Sequence, residues 1–383
     1  MAVPWRVAVP FVAGFWLSFP GLAQNPGITG VANYVTSERP MSAGALAVVV
    51  GTSLGPSAAV NMPIWMQDLT VTVGGKPAPI LFASSTVLTI QIPVDAGVGS
   101  SSVVVQHQGR SSSAFQINLS SYANTIITGA SYGDDAKVWT TYCGTSIDSR
   151  NPSVPGQALR AYVIGLGQTN PVVPAGTLAP ASPLAVVVNP PVVKVGGRIA
   201  PFQRAYLAPG RLGVYAVEFT VPQGTPLSAG NQSLWLEMVS TMSNQVPLAF
   251  TSETLPVINT IENAGHFSPG ALGTPGGIIA VKGANFGTTS SGVDSVFPGT
   301  DFGGASVTAD GAAVPLFGVF GPQEQINTYV PTELPETGSV SLRVKAGGKT
   351  GPACPMGLTS AHPGVFRVFE PPGFGDAAPI AIR

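Results

Sequence analysis

One formal catalytic motif is present, Gly51-Thr52-Ser53-Leu54-Gly55, which fits the G-x-S-x-G pattern of serine hydrolases. In those enzymes the serine lies on a turn between a strand and a helix, and an acid and a histidine follow in the chain. The residues after Gly55 show no helical period, and the matching loop of a later repeat has Asn285 where Ser53 stands. A position that is Ser in one repeat and Asn in another is typical of a glycine-framed turn, where the side chain bonds to nearby backbone. We therefore predict no nucleophile here.

The sequence gives only weak signals for a metal site. The loop 288–304 contains Asp294 and Asp301, but it lacks the dense Asp-x-Asp spacing that surrounds a calcium ion with oxygens. The three histidines are found neither at H-x-x-x-H spacing nor near a cysteine at the spacing of a zinc site; they are His107, His266 and His362. We therefore predict no catalytic residue, no metal and no cofactor.

The insertion 133–156, GDDAKVWTTYCGTSIDSRNPSVPG, is the most distinctive segment because it concentrates charged residues in a chain that has few. Trp139 and Tyr142 in this segment, and Trp65 elsewhere, are the candidate ligand-binding residues, since such rings can stack on a sugar face or anchor a protein partner. The alternative is an inter-domain linker whose aromatic rings pack on the neighbouring domain. We favour the linker, because aromatic side chains bury large areas wherever they can.

Cys143 and Cys354 are the two cysteines, and they fall in different predicted domains. A disulfide between them is chemically permissible in an exported protein and would clamp the two domains together. Two separate thiols are the alternative, because a bridge needs Cα atoms within about 7 Å of each other. The sequence contains no information on that distance, so both interpretations stay open.

The composition limits the elements that can position these residues. Only 9% of the 383 residues are charged, against about 25% in an average soluble domain. The net charge of −1 offers no basic surface to a phosphate backbone, so we expect no nucleic-acid partner. The 47 glycines and 37 prolines disfavour long helices. Hydrophobic residues make up 44% of the sequence, which is enough to bury a core. These numbers indicate a multi-domain, turn-rich β protein.

Residues 1–23, MAVPWRVAVPFVAGFWLSFPGLA, have the layout of a secretory signal peptide, with a single charge at Arg6, an apolar stretch and small residues near the end. We predict cleavage after Ala23. An uncleaved anchor would need roughly 20 unbroken apolar residues, and Pro10 and Pro20 interrupt this run. We expect a mature chain without a transmembrane span that is secreted or associated with the cell envelope.

Three stretches of the chain share one pattern, which organises the whole sequence. Each has a short alternating strand, a two-residue turn and a second strand with a proline. Gly-Gly and Asp-Gly turns between alternating runs are strong hairpin signals, because type I′ turns need positive φ at both central residues. The turns are Gly74-Gly75, Gly196-Gly197 and Asp310-Gly311, and the prolines are Pro79, Pro201 and Pro315.

Three units of roughly 100 to 130 residues, each with about seven short strands, are typical of β-sandwich domains. We therefore predict an all-β fold with three immunoglobulin-like β-sandwiches in tandem after the signal peptide. The predicted limits are 24–120 for a degenerate first unit, 121–254 for a second unit with the insertion 133–156, 255–370 for a third unit, and 371–383 for a C-terminal tail.

The third unit resembles the Solibacter-type uncharacterised C-terminal domain of secreted bacterial proteins, a family that is similar to immunoglobulin-like IPT/TIG modules. The second unit resembles the companion form of the same family through GLGQTNPVVPAG and LAPGRLGVYAVEFTVP. The resemblance implies export and an immunoglobulin-like fold, and it brings no catalytic or binding residues with it. In the third unit it rests, in order, on Asn263-Ala264, Pro275-Gly276, the loop 283–287, QINTYVP at 325–331, and Pro363 to Phe366.

The expected function is that of a secreted, non-enzymatic protein that serves as a structural spacer or as an adhesion or interaction module at or outside the cell envelope. Its partner would be a protein or a polysaccharide at the cell surface, bound through loops at the sandwich ends or at a strand edge. The alternative is a carbohydrate-binding protein that uses the exposed aromatic residues of the insertion 133–156. An enzyme would need acid, base or nucleophile groups gathered in one pocket, and the sequence supplies too few candidates.

Overall fold

The computed structural model describes residues 24–36, 40–128, 138–223, 230–239, 241–267, 270, 272–287, 290–291 and 299–364. The predicted signal peptide, the first part of the insertion and the C-terminal tail lie outside the described residues. The elements in the described ranges are strands and one short 3-10 helix, Gly321–Gln323. These ranges contain no helix with the length and apolar character that a membrane crossing requires.

The first sandwich consists of eleven strands between residues 27 and 120. They are β1 (Gly27–Asn33), β2 (Met41–Ser42), β3 (Leu46–Thr52), β4 (Val60–Ile64), β5 (Leu69–Val73), β6 (Lys76–Pro77), β7 (Ile80–Ala83), β8 (Val87–Gln91), β9 (Gly99–His107), β10 (Arg110–Ser111) and β11 (Phe115–Ser120). One sheet has the order β1-β3-β8-β7-β4, and the other has the order β2-β11-β9-β5-β6 with β10 beside β9. Side chains from both sheets, among them Val49, Val71 and Val103, form one core.

The second sandwich has twelve strands between residues 125 and 250. They are β12 (Thr125–Ile126), β13 (Val138–Thr140), β14 (Ala158–Ile164), β15 (Thr169–Asn170), β16 (Val186–Val187), β17 (Val192–Val195), β18 (Arg198–Ala200), β19 (Phe202–Leu207), β20 (Tyr215–Thr220), β21 (Gly230–Met238), β22 (Thr241–Met242) and β23 (Val246–Phe250). The larger sheet has the order β12-β14-β20-β19-β16-β15 with β13 beside β14, and the smaller has the order β18-β17-β21-β22 with β23 beside β21. Val217 and Phe219 of β20 face the core with Leu234 of β21.

The third sandwich has eleven strands between residues 257 and 358. They are β24 (Val257–Asn263), β25 (Ile278–Ala284), β26 (Ser290–Ser291), β27 (Asp301–Phe302), β28 (Ala305–Ala309), β29 (Ala312–Ala313), β30 (Leu316–Phe320), β31 (Gln325–Tyr329), β32 (Gly338–Ala346), β33 (Lys349–Thr350) and β34 (Cys354–Leu358). One sheet has the order β24-β25-β31-β30-β26, and the other has the order β27-β28-β32-β33 with β29 beside β28 and β34 beside β32. The predicted all-β fold of tandem immunoglobulin-like sandwiches is thereby confirmed.

The three predicted hairpins form where the repeat places them. The pairs β5–β6, β17–β18 and β28–β29 are antiparallel and are each joined by two residues. Both residues of each turn have positive φ, at 60° and 77° for Gly74-Gly75, 55° and 81° for Gly196-Gly197, and 47° and 88° for Asp310-Gly311. Asp310 adopts this conformation without being glycine, and its Oδ1 accepts a hydrogen bond from the Ser341 N–H at 2.8 Å.

The prolines of the repeat lie where the chain changes from one sheet to the other. The sequence pattern predicted them inside the second strand of each hairpin, and that prediction is wrong. Pro79, Pro201 and Pro315 each separate a short strand in one sheet from a longer strand in the facing sheet. Proline has no N–H to donate to a ladder, so it suits the position at which the chain leaves one sheet for the other. In all three copies the proline carbonyl accepts a main-chain bond of 2.9 Å from the closing strand, β8, β20 or β31.

The first and second sandwiches pack against each other across a buried apolar surface. Leu46 of β3 and Leu81 of β7 contact a cluster from the second sandwich that includes Tyr206 and Val214. At the edge of this surface the main-chain N–H of Gly176 donates to Gln91 Oε1 at 2.8 Å. The two units therefore form one packed body in which a sheet of the first is covered by a sheet of the second.

The second and third sandwiches are joined by side-chain bonds to main-chain groups. Asn259 Nδ2 donates to the Gly156 carbonyl at 2.9 Å, and its Oδ1 accepts from the Ala158 N–H at 2.8 Å. Val154 packs on Val257 beside these bonds. Because both the NH₂ and the oxygen of the Asn259 amide are hydrogen-bonded, the side chain has one orientation and holds the main chain at 156–158 in place. This junction is therefore also well defined.

Candidate functional site

The described part of the insertion, residues 138–156, is ordered by main-chain pairing and by two local turns. Its strand β13 pairs antiparallel with β14, and Trp139 forms an isolated bridge with Ser146. Asp148 Oδ1 accepts hydrogen bonds from the N–H groups of Arg150 and Asn151 at 2.8 and 3.0 Å. The segment therefore extends the larger sheet of the second sandwich and then turns toward the third.

Two of the three predicted ligand-binding aromatic residues are half-buried and pack against other side chains. The Trp139 ring meets the Tyr162 ring edge to face, with centroids 5.2 Å apart. Tyr142 packs against the core of the third sandwich, and burial raises the pKa of its phenol to about 12. This is the arrangement that the linker interpretation of the insertion describes. Trp65 differs from both, because it follows β4 in a loop and is 57% exposed.

The two cysteines form a disulfide between the insertion and the third sandwich. Cys143 and Cys354 have Cα atoms 4.9 Å apart, and Cys354 lies on β34. A small cavity of about 240 Å³ lies beside the bridge and is bordered by Arg150 and Arg343. Of the two interpretations that the sequence left open, the structure shows the bridge.

A network of charges that the sequence interpretation missed lies on the outward face of the larger sheet of the second sandwich. The Glu218 side chain is only 2% exposed and lies directly between Arg160 and Arg204 on the neighbouring strands. Arg160 Nη2 and Arg204 Nε donate to its two oxygens at 2.6 Å each, and Tyr206 Oη donates at 2.7 Å. The signal in the sequence was a charge at an outward position of each of three apolar strands.

The electrostatics of this network follow from burial and hydrogen bonding. Burial by itself raises the pKa of the Glu218 carboxyl, but the hydrogen bonds from Arg204, Tyr206 and Arg160 outweigh it and hold that pKa below its ordinary value. Burial and the bond to Glu218 together raise the pKa of Tyr206 to about 12. Both carboxylate oxygens of Glu218 accept hydrogen bonds within the network, so it stabilises the sheet.

A cleft of about 480 Å³ opens where the first and second sandwiches meet. We call it the first-junction cleft. It lies between the segments 43–44 and 94–96 of the first sandwich and 167–169 and 172–173 of the second, with residues 120–122 where the two sandwiches join. Its floor includes Tyr215, whose Oη donates a short hydrogen bond to the Gly167 carbonyl. It could not be predicted from the sequence, because its two walls belong to different repeats.

Ser53 lies on a turn, as predicted for the G-x-S-x-G loop. It has φ of 53°, and Asn285 in the matching loop has φ of 65°. The segment after Ser53 runs into β4 without a helix. His107 comes close, but its Nδ1 bonds to the Ser53 main-chain carbonyl at 3.2 Å. This bond fixes the turn and does not engage the hydroxyl. Asn285 Nδ2 likewise donates to the Pro155 and Leu255 carbonyls at 3.0 and 2.8 Å.

The other candidate ligands of a metal are dispersed. His266 and His362 lie with ring centroids 5.3 Å apart at one end of the third sandwich. Asp301 is exposed on β27, and Asp294 lies outside the described residues. In the part of the chain that the structure describes, no group of three or more His, Cys, Asp or Glu side chains is placed to hold a metal ion.

Comparison with solved structures gives likenesses of fold. The chain is 13% identical to the SGBP-B protein of a mixed-linkage glucan utilization locus of Bacteroides ovatus, solved with a mixed-linkage heptasaccharide (81% of this chain, 66% of that chain, TM-score 0.24). It is 8% identical to the surface glycan-binding protein PbSGBP-B of Prevotella bryantii (75% and 58%, TM-score 0.21) and 11% identical to domains 4–9 of the surface layer protein SbsC (87% and 47%, TM-score 0.20). The chain thus spans less than two thirds of each of these structures, and likeness at this level concerns the fold alone.

Comparison of the sequence gives a more specific result for one sandwich. No curated protein matches the chain. Residues 36–123, which hold most of the first sandwich, match the model of the IPT/TIG domain. The coarser part of the predicted resemblance is thereby confirmed, and the Solibacter-type assignment stays a prediction. An IPT/TIG domain, a module of the immunoglobulin-like superfamily, is thus detected over most of the first sandwich.

Proposed function

We propose that this chain is an exported, non-enzymatic interaction module at the cell envelope, in which three immunoglobulin-like sandwiches form one rigid block. The observation that carries the proposal is that both junctions between sandwiches are closed by buried contacts. Leu46, Leu81 and Val214 close the first, and the Cys143–Cys354 bridge closes the second. A rigid block holds its surface loops in fixed relative positions, which lowers the cost of ordering them when a partner binds.

The first junction is strong enough to be stable. Full burial of a leucine or valine side chain contributes about 1.5–3 kcal/mol relative to exposure, and Leu46 and Val214 are fully buried. Separation of the two sandwiches would expose these side chains together with Leu81 and Tyr206. The array is therefore a poor flexible spacer and a good platform for binding.

Export is supported by the signal-peptide pattern of residues 1–23 and by the disulfide, which persists in oxidising compartments. The resemblance of the second and third units to domains of secreted bacterial proteins points the same way. A role without catalysis is supported by the described titratable groups, since the most buried of them, Glu218, is fully engaged by its neighbours.

A second candidate function is carbohydrate binding through an exposed aromatic ring. Among the three predicted aromatic residues, the exposure of Trp65 favours this use, because an exposed ring can stack on a sugar face. Trp139 and Tyr142 are less suited to it, since their rings already pack on Tyr162 and on the third core.

The proposal is tested on the full chain expressed with residues 1–23 in a bacterial host. We expect the protein in the periplasm or the medium with Gln24 as its first residue, and a small-angle scattering curve of one compact particle. On intact cells a membrane-impermeant cross-linker is expected to link the exported chain to an envelope component. Protein that stays in the cytoplasm with residues 1–23 attached contradicts export, and exported chain that forms no cross-link contradicts an interaction module.

Rigidity is tested by opening the first junction. The substitution Leu46→Asp buries a charge between the sandwiches and is expected to increase the maximum particle dimension, and Leu81→Asp should act in the same way. Val50→Asp, on the same strand β3 but at an exposed position, is the matched control and should leave the scattering curve unchanged. A wild-type curve typical of a flexible chain contradicts the rigid block.

A further inference from the structure

We propose that the first-junction cleft binds a neutral oligosaccharide. This inference names a ligand class for the interaction module and so rests on the proposed function, but it depends on different observations. The volume of about 480 Å³ falls within the roughly 300–1,000 Å³ of small-molecule sites, which also occur preferentially at domain interfaces.

The walls of the cleft are held in place from both sides. The Gln91 side chain, which is buried, accepts from the Gly176 N–H at 2.8 Å and donates to the Gly44 carbonyl at 3.3 Å. It thus ties a loop of the second sandwich to a loop of the first. Tyr215 ties the floor to Gly167. A site whose loops are already ordered loses little conformational entropy when a ligand enters.

The polar groups that face the cleft are hydroxyls and amides. Gln168, Thr177 and Asn189 are exposed there, and Asn189 Nδ2 donates to Tyr122 Oη at 3.0 Å. That bond uses a lone pair of the phenol oxygen and one amide hydrogen. The phenol proton and the Asn189 amide oxygen remain to bond a ligand. Sugar hydroxyls both donate and accept, so they match groups of this kind on adjacent positions.

The charge of the cleft favours a neutral ligand. Its lining holds one anion, Asp95, and one cation, Arg211. Asp95 is paired with Lys76 at 2.7 Å, and the Arg211 guanidinium lies 4.8 Å from the centre of the Tyr162 ring. The lining therefore holds no cluster of cations of the kind that binds a phosphate or a polyanion.

Two apolar side chains complete the match. Val98 and Val172 line the cleft from opposite sandwiches and are 68% and 70% exposed. Valines of β-sandwiches are ordinarily inside, and these two offer apolar contact beside the hydroxyl and amide groups. A sugar ring presents the same combination, with C–H groups on its faces and hydroxyls at its edge.

The test uses the disulfide-bonded mature chain and isothermal titration with cellotriose, maltotriose, xylotriose, mannotriose and laminaritriose, and with trigalacturonate and an acidic peptide as charged probes. We expect at least one neutral trisaccharide to bind saturably. Val172→Trp fills the cleft and Asn189→Ala removes a ligand amide, so each should weaken that binding by about tenfold or more. Val192→Trp and Asn231→Ala change exposed residues of the same types outside the cleft and should leave it unchanged.

Three results would overturn the proposal: no neutral trisaccharide binds, only a charged probe binds, or binding survives Val172→Trp and is lost in Trp65→Ala. The last result would move the site to Trp65. Failure of sugar binding is distinct from failure of the proposed function. If the exported chain still cross-links to the envelope, the ligand class alone is wrong, whereas loss of that cross-link as well rejects the interaction module.

Discussion

Cys143 and Cys354 are 211 residues apart in the sequence, and the disulfide between them brings their Cα atoms to 4.9 Å. One sulfur belongs to the insertion of the second sandwich and the other to β34 of the third. Tyr142, the residue before Cys143, packs on the third core. The bridge therefore fixes the insertion on a surface that it already contacts.

The first prediction concerns loss of this bridge. The double variant Cys143→Ser, Cys354→Ser changes one buried core residue, Cys354 of the third sandwich, and leaves the other core side chains in place, so we expect all three sandwiches to remain folded. The insertion should loosen, because a cross-link over a long loop stabilises a fold by about 2–4 kcal/mol. Hydrogen exchange of residues 138–147 measures the change and should be faster than in wild type. Wild-type protein that takes up two alkyl groups without reductant would show that the bridge does not form.

The second prediction concerns the buried carboxylate of the second sandwich. Glu218→Gln keeps the size of the side chain but removes the charge that Arg160 and Arg204 share. We expect a loss of about 1.5–3 kcal/mol in the free energy of unfolding, since a hydrogen bond to a charged group contributes about that much. Urea unfolding measures it, and hydrogen exchange should place the effect in β14, β19 and β20.

The matched control is Glu237→Gln in the same sandwich. The Glu237 side chain is 40% exposed, lies 3.7 Å from Lys194 and accepts a hydrogen bond from Trp235 Nε1 at 2.9 Å. Ion pairs of this exposure contribute only about 0–1 kcal/mol. Equal losses of unfolding free energy in the two variants would mean that the Glu218 network contributes no more to stability than an exposed ion pair.

The third prediction is a pH dependence with a definite sign. The folded protein holds the pKa of Glu218 below its ordinary value of 4.5, so the unfolded chain binds the proton more readily. The contribution of Glu218 to stability is therefore present above pH 4.5 and is lost as the pH falls through the lower pKa of the folded state. The urea midpoint of wild type should fall below that pH, and Glu218→Gln should fall less steeply. Parallel pH profiles would assign the acid sensitivity to other groups.

The hairpins and the fold class could be predicted from the sequence because their signals are local. Gly74-Gly75 and Asp310-Gly311 dictate their own φ angles, and alternation within each strand sets the face that is buried. Pro79 shows where a local pattern ends, since the sequence pattern assigned it to one strand, whereas the chain changes sheet there.

The contacts between repeats could not be predicted in this way. The positions of Tyr142 and Cys354 depend on how one sandwich docks on another, and no periodicity encodes that docking. The first-junction cleft has the same origin. The Glu218 network could be predicted in part. The sequence shows one charged residue in each of three apolar strands, but it does not show the register that places these residues side by side.

The last prediction tests a close backbone contact that the repeat preserves. Gly51 and Gly283 begin matching loops, and a Cβ at either would lie 1.9 Å from a main-chain oxygen, that of Gly27 or Val257. No side chain fits at that distance, so the first strand of the sandwich would have to move. We expect Gly51→Ala and Gly283→Ala each to lose about 1–3 kcal/mol or more, seen by hydrogen exchange in the first and the third sandwich respectively.

Gly97→Ala is the control for this pair. A Cβ at Gly97 would meet nothing within 4 Å, and its φ lies outside the left-handed region. The substitution should therefore be neutral or stabilise by about 0.4–1 kcal/mol, because alanine restricts the unfolded chain more than glycine does. If Gly51→Ala is as neutral for stability as Gly97→Ala, then β1 does not approach β3 as closely as the structure shows.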